Sequence, residues 1–275
     1  MTGPTFDERL HAGWTKRRTM LCVGLDPEPD RLPGAWVGRV DRIGEFCRAI
    51  VDVTADLVCA FKPQIAYFAA HGAEDQLEAV INHIRAVAPE VPVILDAKRG
   101  DIGSTAEQYA REAFDRYGAD AVTVNPYLGL DTIEPFAVHA ARAGGGLFVL
   151  CRTSNPGSGD FQDLIVDGEP LYQRVARAVV QQFDVAGLVV GATYPEQLAA
   201  VRAIAPATPI LVPGVGAQGG DLLGAVQAGA TAAGGLVVSS SRAVLYASSG
   251  ADFAGAARQV ASDAREAIEA ARQLV

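Results

Sequence analysis

Eight short apolar runs, each followed by a segment of helical spacing, constrain this chain more than any other feature. The runs cover residues 20–25, 57–61, 92–95, 120–124, 147–151, 187–190, 210–212 and 236–239. Most are continuously apolar rather than alternating, the pattern of parallel strands buried on both faces. Between them, apolar residues recur on one helical face. Ile43, Phe46, Cys47, Ile50 and Val51 form one such stripe, and Leu77, Val80, Ile81, Ile84 and Val87 form another. Phe253, Ala257, Val260, Ala264, Ile268 and Ala271 give the last. Gly, Pro and Asp punctuate the junctions. Ser104 with Glu107 predicts a capping box where the helix after the third run begins. Eight βα units in about 250 residues predict a (β/α)8 TIM barrel, an α/β fold. No linker divides the chain, so residues 1–275 are expected to form one domain. An open, doubly wound sheet is the alternative. Residues 154–170 are the one long irregular stretch, and loops of that length in compact domains are often functional.

Composition removes several classes. With 49% hydrophobic and 20% charged residues, the chain is not disordered. Its longest apolar stretches are too short to span a bilayer, and its N-terminus lacks the apolar core of a secretory signal. A cytoplasmic protein without a membrane partner is expected. The net charge of −9 leaves no global basic footprint for nucleic acid, so an anion would need a local, organised site. Cys22, Cys47, Cys59 and Cys151 fit no zinc or thioredoxin spacing, and Cys22, Cys59 and Cys151 read as reduced core residues. The four histidines form no HExxH motif or close pair, so no metal is expected.

A barrel directs attention to the C-terminal ends of its strands. The polar residues there are few: Asp26, Lys62, Asp96, Lys98, Asp101, Asn125, Arg152, Thr153, Ser154, and the runs 213–220 and 239–242. Asp96-Ala-Lys98-Arg-Gly-Asp101 is the most informative. Asp96 and Lys98, two apart, share a face if the segment is extended. A carboxylate beside an ammonium keeps both charged. With Lys62 nearby, an alternating charge network would set an anionic group and a proton donor against a substrate. Gly214-x-Gly216-x-x-Gly219 matches the dinucleotide fingerprint literally. No acidic residue ends the next strand to hold a ribose, and the motif lies late in the chain, which argues against NAD. In a barrel, the loops after the seventh and eighth strands are the usual phosphate site. Arg242 would add a charge-assisted fork there. The residues thus describe a barrel enzyme for a phosphorylated small molecule, working through lysines and aspartates; they do not name the reaction.

The same strand ends resemble the orotidine 5′-phosphate decarboxylase family. The core motif is Asp96-Ala-Lys98-Arg-Gly-Asp101-Ile-Gly-Ser-Thr105. Gly24-Leu-Asp26-Pro, Phe61-Lys62-Pro-Gln, Thr123-Val-Asn125-Pro-Tyr-Leu-Gly, Arg152-Thr-Ser154-Asn-Pro-Gly and Pro213-Gly-Val-Gly-Ala-Gln218-Gly-Gly match in order, over residues 20–242. The long form is similar to the bacterial branch sometimes called type 2. The resemblance implies loss of CO2 from orotidine 5′-phosphate to give UMP, the last step of de novo pyrimidine synthesis. It also implies no cofactor and a homodimer with shared active sites.

Carried over by position, Lys98 is the general acid facing C6, and Asp96 lies by the departing carboxylate. Lys62 and Asp101 complete the charge network and hold ribose hydroxyls. Asp101, with Ile102 and Thr105, is implied to reach into the partner's site. Asp26 is implied to bind the ribose, Ser154 the pyrimidine ring, and Gln218 and Arg242 the phosphate. Asn125 and Pro213 stand in matching stretches as further substrate-binding positions. The Gln218 loop is expected to close as a lid. One departure stands out: Ser241-Arg242 occupies a place where the family often has Gly-Arg. A serine keeps the N–H and adds a hydroxyl, so phosphate binding is expected to survive. Metal-dependent sugar-phosphate decarboxylases and hexulose-phosphate synthases share the Asp-x-Lys-x-x-Asp element, but Lys62 and Asp26-Pro27 fit the nucleotide enzyme better. A non-catalytic barrel would be expected to lack Lys98 or Asp96, and both are present.

Overall fold

The computed structural model describes residues 3–214 and 221–275. Eight parallel strands form one sheet: β1 (Leu21–Leu25), β2 (Ala60–Pro63), β3 (Ile94–Arg99), β4 (Ala121–Val124), β5 (Gly146–Arg152), β6 (Ala186–Val190), β7 (Ile210–Val212) and β8 (Leu236–Ser240). Their lateral order is β2-β1-β8-β7-β6-β5-β4-β3. The two ends of that order meet through parallel bridges Phe61–Val93 and Gln64–Asp96. The Phe61 N–H donates to the Pro92 carbonyl at 3.0 Å and the Ile65 N–H to the Asp96 carbonyl at 3.2 Å. This seam closes the sheet, which excludes the open doubly wound alternative. β1, β2, β4, β6, β7 and β8 are buried along their whole length, the physical reason their sequences do not alternate.

One long helix follows each strand, and another precedes the first. They are α1 (Phe6–Thr15), α2 (Ile43–Thr54), α3 (Glu74–Val87), α4 (Gly103–Arg111), α5 (Glu134–Ala143), α6 (Leu171–Gln182), α7 (Pro195–Ile204), α8 (Leu222–Gly229) and α9 (Phe253–Arg272). All five stripe residues of α2 are buried; in α3 the stripe is buried through Ile84, and Val87 is exposed at the helix end. α1 closes the N-terminal mouth. It opens with a capping box, in which the Glu8 N–H donates to Thr5 Oγ1 and the Thr5 N–H to Glu8 Oε2. It buries Phe6, Leu10 and Trp14. Phe6 meets Phe148 edge-on at 5.9 Å, and the Trp14 indole donates to the Leu236 carbonyl at 2.8 Å. Arg9 pairs with Asp120, whose other oxygen accepts the Val93 N–H at 2.8 Å. All these partners sit where strands begin. Among the described residues no helix is long and apolar enough to cross a membrane.

The structure corrects several expectations. The second strand begins at Ala60, because Ala55–Leu57 forms a 3-10 turn. β3 runs on through Asp96 and Lys98 to Arg99. Ser104 and Glu107 form no capping box: α4 starts at Gly103, so Ser104 is already inside the helix and cannot serve as its cap. Residues 154–170 are not irregular. They hold a 3-10 turn (Pro156–Ser158), a helical turn (Gly159–Gln162) and a two-residue antiparallel ladder of Ile165–Val166 with Glu169–Pro170.

Candidate active site

The C-terminal mouth of the barrel opens into a cavity of about 530 Å³. That is within the usual range for small-molecule sites, roughly 300–1,000 Å³. Its floor is apolar, with Leu150, Val189 and Leu211 from three successive strands of the sheet. Its charged groups come from the opposite wall. Asp26 follows β1, Lys62 lies in β2, Asp96 and Lys98 lie in β3, and Ser241 and Arg242 follow β8.

Asp96 is the centre of this wall. Lys62 Nζ donates to its Oδ2 at 2.8 Å and Lys98 Nζ to its Oδ1 at 2.6 Å. The Lys62 and Asp96 side chains are only 5% and 8% exposed, whereas that of Lys98 is 47% exposed. Burial alone would raise the Asp96 carboxyl, but the Lys62 and Lys98 ammoniums outweigh it and hold the group well below the ordinary carboxylate range. For Lys62, burial pulls the ammonium down, and Asp96 and Asp26 together push it above the usual lysine value. Among the described residues, Asp26 Oδ1 is buried with no hydrogen-bond partner. Tyr246 holds the loop behind it: its hydroxyl accepts the Glu28 N–H at 2.6 Å and donates to the Asp26 carbonyl at 3.0 Å.

Asp96 and Lys98 do meet, but not on a regular extended strand. Between the pairs Leu95–Val122 and Arg99–Val124 the register slips, so that three residues of β3 face Thr123 alone. Lys98 carries a φ of +48°, the left-handed region that side chains other than glycine rarely adopt. Such strain clusters at functional sites.

On the far side, Arg152 is buried and pins the segment after β5. Its guanidinium donates to the Thr153 carbonyl, Ser158 and Asp163, and lies over the Tyr194 ring at 4.9 Å. The Thr153 N–H donates to Gln162 Oε1 at 2.8 Å, and Gln162 Nε2 returns a bond to Thr153 Oγ1 at 2.9 Å. This lock places Thr153, Ser154, Asn155 and Gln162 on the cavity wall. At the other rim β1 and β8 approach closely: a Cβ on Gly24 would run into the Ser241 hydroxyl.

Of the residues singled out from sequence, Asp26, Lys62, Asp96, Lys98, Ser154, Pro213, Ser241 and Arg242 share this cavity. Gln218 lies outside the described residues. Asp101, Ile102, Thr105 and Asn125 do not line the cavity of their own chain. The Asp101 carboxylate accepts the Ile102 N–H at 2.8 Å, Ile102 and Thr105 are exposed, and Asn125 Oδ1 accepts the Tyr127 N–H at 3.0 Å, capping a turn. Sequence reasoning assigned no part to Gln162 or to the Thr123 hydroxyl. Gln162 ends a four-residue helical turn too short to leave a periodic signal, and Thr123 is an inconspicuous member of an apolar strand. Among the described residues, no three His, Cys, Asp or Glu side chains are grouped to hold a metal ion.

A closed (β/α)8 barrel with a carboxylate clamped between two lysines at its C-terminal mouth is an enzyme scaffold for a small molecule. Residues 19–259 match the orotidine 5′-phosphate decarboxylase / HUMPS family, and the chain belongs to that family. It is 60% identical over 271 residues to an orotidine 5′-phosphate decarboxylase of Azoarcus sp. (strain BH72), covering 97% of this chain and 99% of that one. Among solved structures, Leishmania donovani OMP decarboxylase superposes with a TM-score of 0.82 at 37% identity, covering 98% of this chain and 99% of the other. Leishmania donovani UMP synthase gives the same TM-score of 0.82 at 40% identity; 97% of this chain matches 57% of that longer one.

Proposed function

We propose that this chain converts orotidine 5′-phosphate to UMP and CO2, with Lys98 as the proton donor. The observation that carries the reading is the Lys62–Asp96–Lys98 array in one cavity with Arg242. In the reaction the bond from C6 to the carboxylate carbon breaks, CO2 leaves, and the electron pair stays on C6. The Lys98 ammonium stabilises that developing charge and gives its proton to C6; water then reprotonates the amine. A donor already positioned needs little reorganisation when the charge forms. Asp96 keeps Lys98 pointed at this place and, itself anionic, is set beside the departing carboxylate. The Asp26 oxygen, which meets no partner among the described residues, suits a ribose hydroxyl, Ser154 the pyrimidine ring, and Arg242 with Ser241 and Pro213 the phosphate.

The working unit in this reading is a homodimer of single-domain barrels. Asp101, Ile102 and Thr105 then serve the partner's cavity. The support is that they stand outside their own cavity, that Ile102 is itself exposed, and that exposed Tyr127 lies against exposed Phe161 at 6.4 Å. A cytoplasmic setting suits the four buried, unbridged cysteines.

The test is the fall in absorbance as orotidine 5′-phosphate becomes UMP, run with EDTA present. Turnover unaffected by the chelator is expected. Inactivity toward this substrate, or activity restored only by a divalent cation on a sugar phosphate, would overturn the reading.

A further inference from the structure

The bulge that carries Lys98 is held by a single hydroxyl. Thr123 Oγ1 accepts the Ala97 N–H at 3.0 Å and the Lys98 N–H at 2.9 Å, and it donates to Asp96 Oδ1 at 2.9 Å. A hydroxyl has one proton to give and two lone pairs to receive, so its capacity is filled. The residue is buried on β4, opposite the three-residue slip in β3. The oxygen it donates to is the one that receives Lys98 Nζ. Thr123 therefore touches both ends of the lysine's placement: the backbone from which the side chain springs, and the carboxylate oxygen that receives its ammonium.

We infer that Thr123 is a positioning residue for the general acid: its hydroxyl locks the left-handed Lys98 backbone and the Asp96 carboxylate into one rigid unit. Without the hydroxyl, two part-buried N–H groups lose their acceptor, and the slip of β3 against β4 loses the side chain that closes it. The main chain at Lys98 then has less to keep it in a conformation that residues with a side chain rarely adopt. A relaxed bulge moves the ammonium away from its working position while leaving Arg242, which stands on another strand end, unchanged. A valine keeps the volume and the strand propensity of threonine but removes the hydroxyl. A serine keeps the hydroxyl and loses only a methyl group.

The inference rests on the decarboxylase reading, and the experiment separates the two. Wild type, Thr123→Val, Thr123→Ala and Thr123→Ser are compared for kcat and KM with orotidine 5′-phosphate, and for UMP binding by calorimetry. A wild type without activity defeats the decarboxylase reading and this inference with it. With an active wild type, Thr123→Val and Thr123→Ala should lose about a hundredfold in kcat, the scale of a 1 Å misplacement. KM and the UMP dissociation constant should shift less than about threefold, since phosphate and ribose contacts lie elsewhere, and Thr123→Ser should recover most of the lost kcat. Full kcat in either hydroxyl-free variant overturns the inference. So does parallel loss of UMP binding and kcat, or failure of both to fold, because either makes the role structural only. A serine variant as impaired as the valine variant also overturns it.

Discussion

Asp96 and its two lysines look symmetric on paper but differ in burial, and that difference separates their roles. Lys62 is enclosed with the carboxylate, while half of the Lys98 side chain is open to the cavity. Removing one partner of a buried pair typically costs about 3–5 kcal/mol. Lys62→Ala should therefore lower stability by about that much in urea denaturation. Lys98→Ala should abolish turnover with a circular dichroism melt nearly unchanged, and retention of more than a few per cent of kcat would remove Lys98 from the acid role. The pH dependence of stability follows from the same triad. Asp96 is held below its unfolded value, so its contribution is complete above about pH 4 and is lost as pH falls further. Lys62 is held above its unfolded value, so its contribution is present below about pH 10 and fades only as pH climbs through the higher folded value. The stability gap between wild type and Asp96→Asn should narrow steadily from pH 4 to pH 3. An unchanging gap across that interval would mean that another group governs the acid limb.

At the scale of elements, the site depends on how closely strands approach at the mouth. β1 and β8 are adjacent, and Gly24 leaves the room that the Ser241 side chain fills. Adding a methyl to a filled contact costs about 1–3 kcal/mol. Gly24→Ala should push Ser241 aside, and Arg242 with it, raising KM for the phosphorylated substrate. The double variant Gly24→Ala/Ser241→Gly should bring KM back, because the Ser241 Cα lies at an ordinary 3.5 Å from the added carbon. A double variant no better than the single one would place the fault outside this contact. Across the cavity, the buried Arg152 gives the segment after β5 its fixed course. A surface loop of the same length without that anchor would carry Ser154 much less firmly.

For the whole molecule, the decisive question is whether two chains build one site. Asp101→Ala and Lys98→Ala, each inactive alone, are mixed in equal amounts under conditions that permit exchange. If Asp101 serves the partner, one site of each mixed dimer carries both lesions and the other carries none. About half of the dimers are then mixed, and activity should return to roughly a quarter of wild type. If Asp101 serves its own barrel, every site keeps one lesion. A mixture that stays inactive, with exchange shown by native mass spectrometry, would sink the shared site.

The barrel was legible in the chain because burial on both faces imposes continuous apolar runs, and helices over them impose a 3.6-residue stripe. Lys62, Asp96 and Lys98 were legible because charged residues that interrupt or end such runs must find partners. α1 as the plug of the lower mouth was not, since its contacts with Phe148, Leu236 and Asp120 come from strands more than a hundred residues away. Nor was the bulge in β3. Its slip, the left-handed Lys98 and the Thr123 hydroxyl that satisfies it exist only once β3 lies against β4. Sequence thus determined which strands form and which charges stand at their ends. Tertiary structure decided where those charges point, because register and hydrogen-bond closure are set between strands rather than within them.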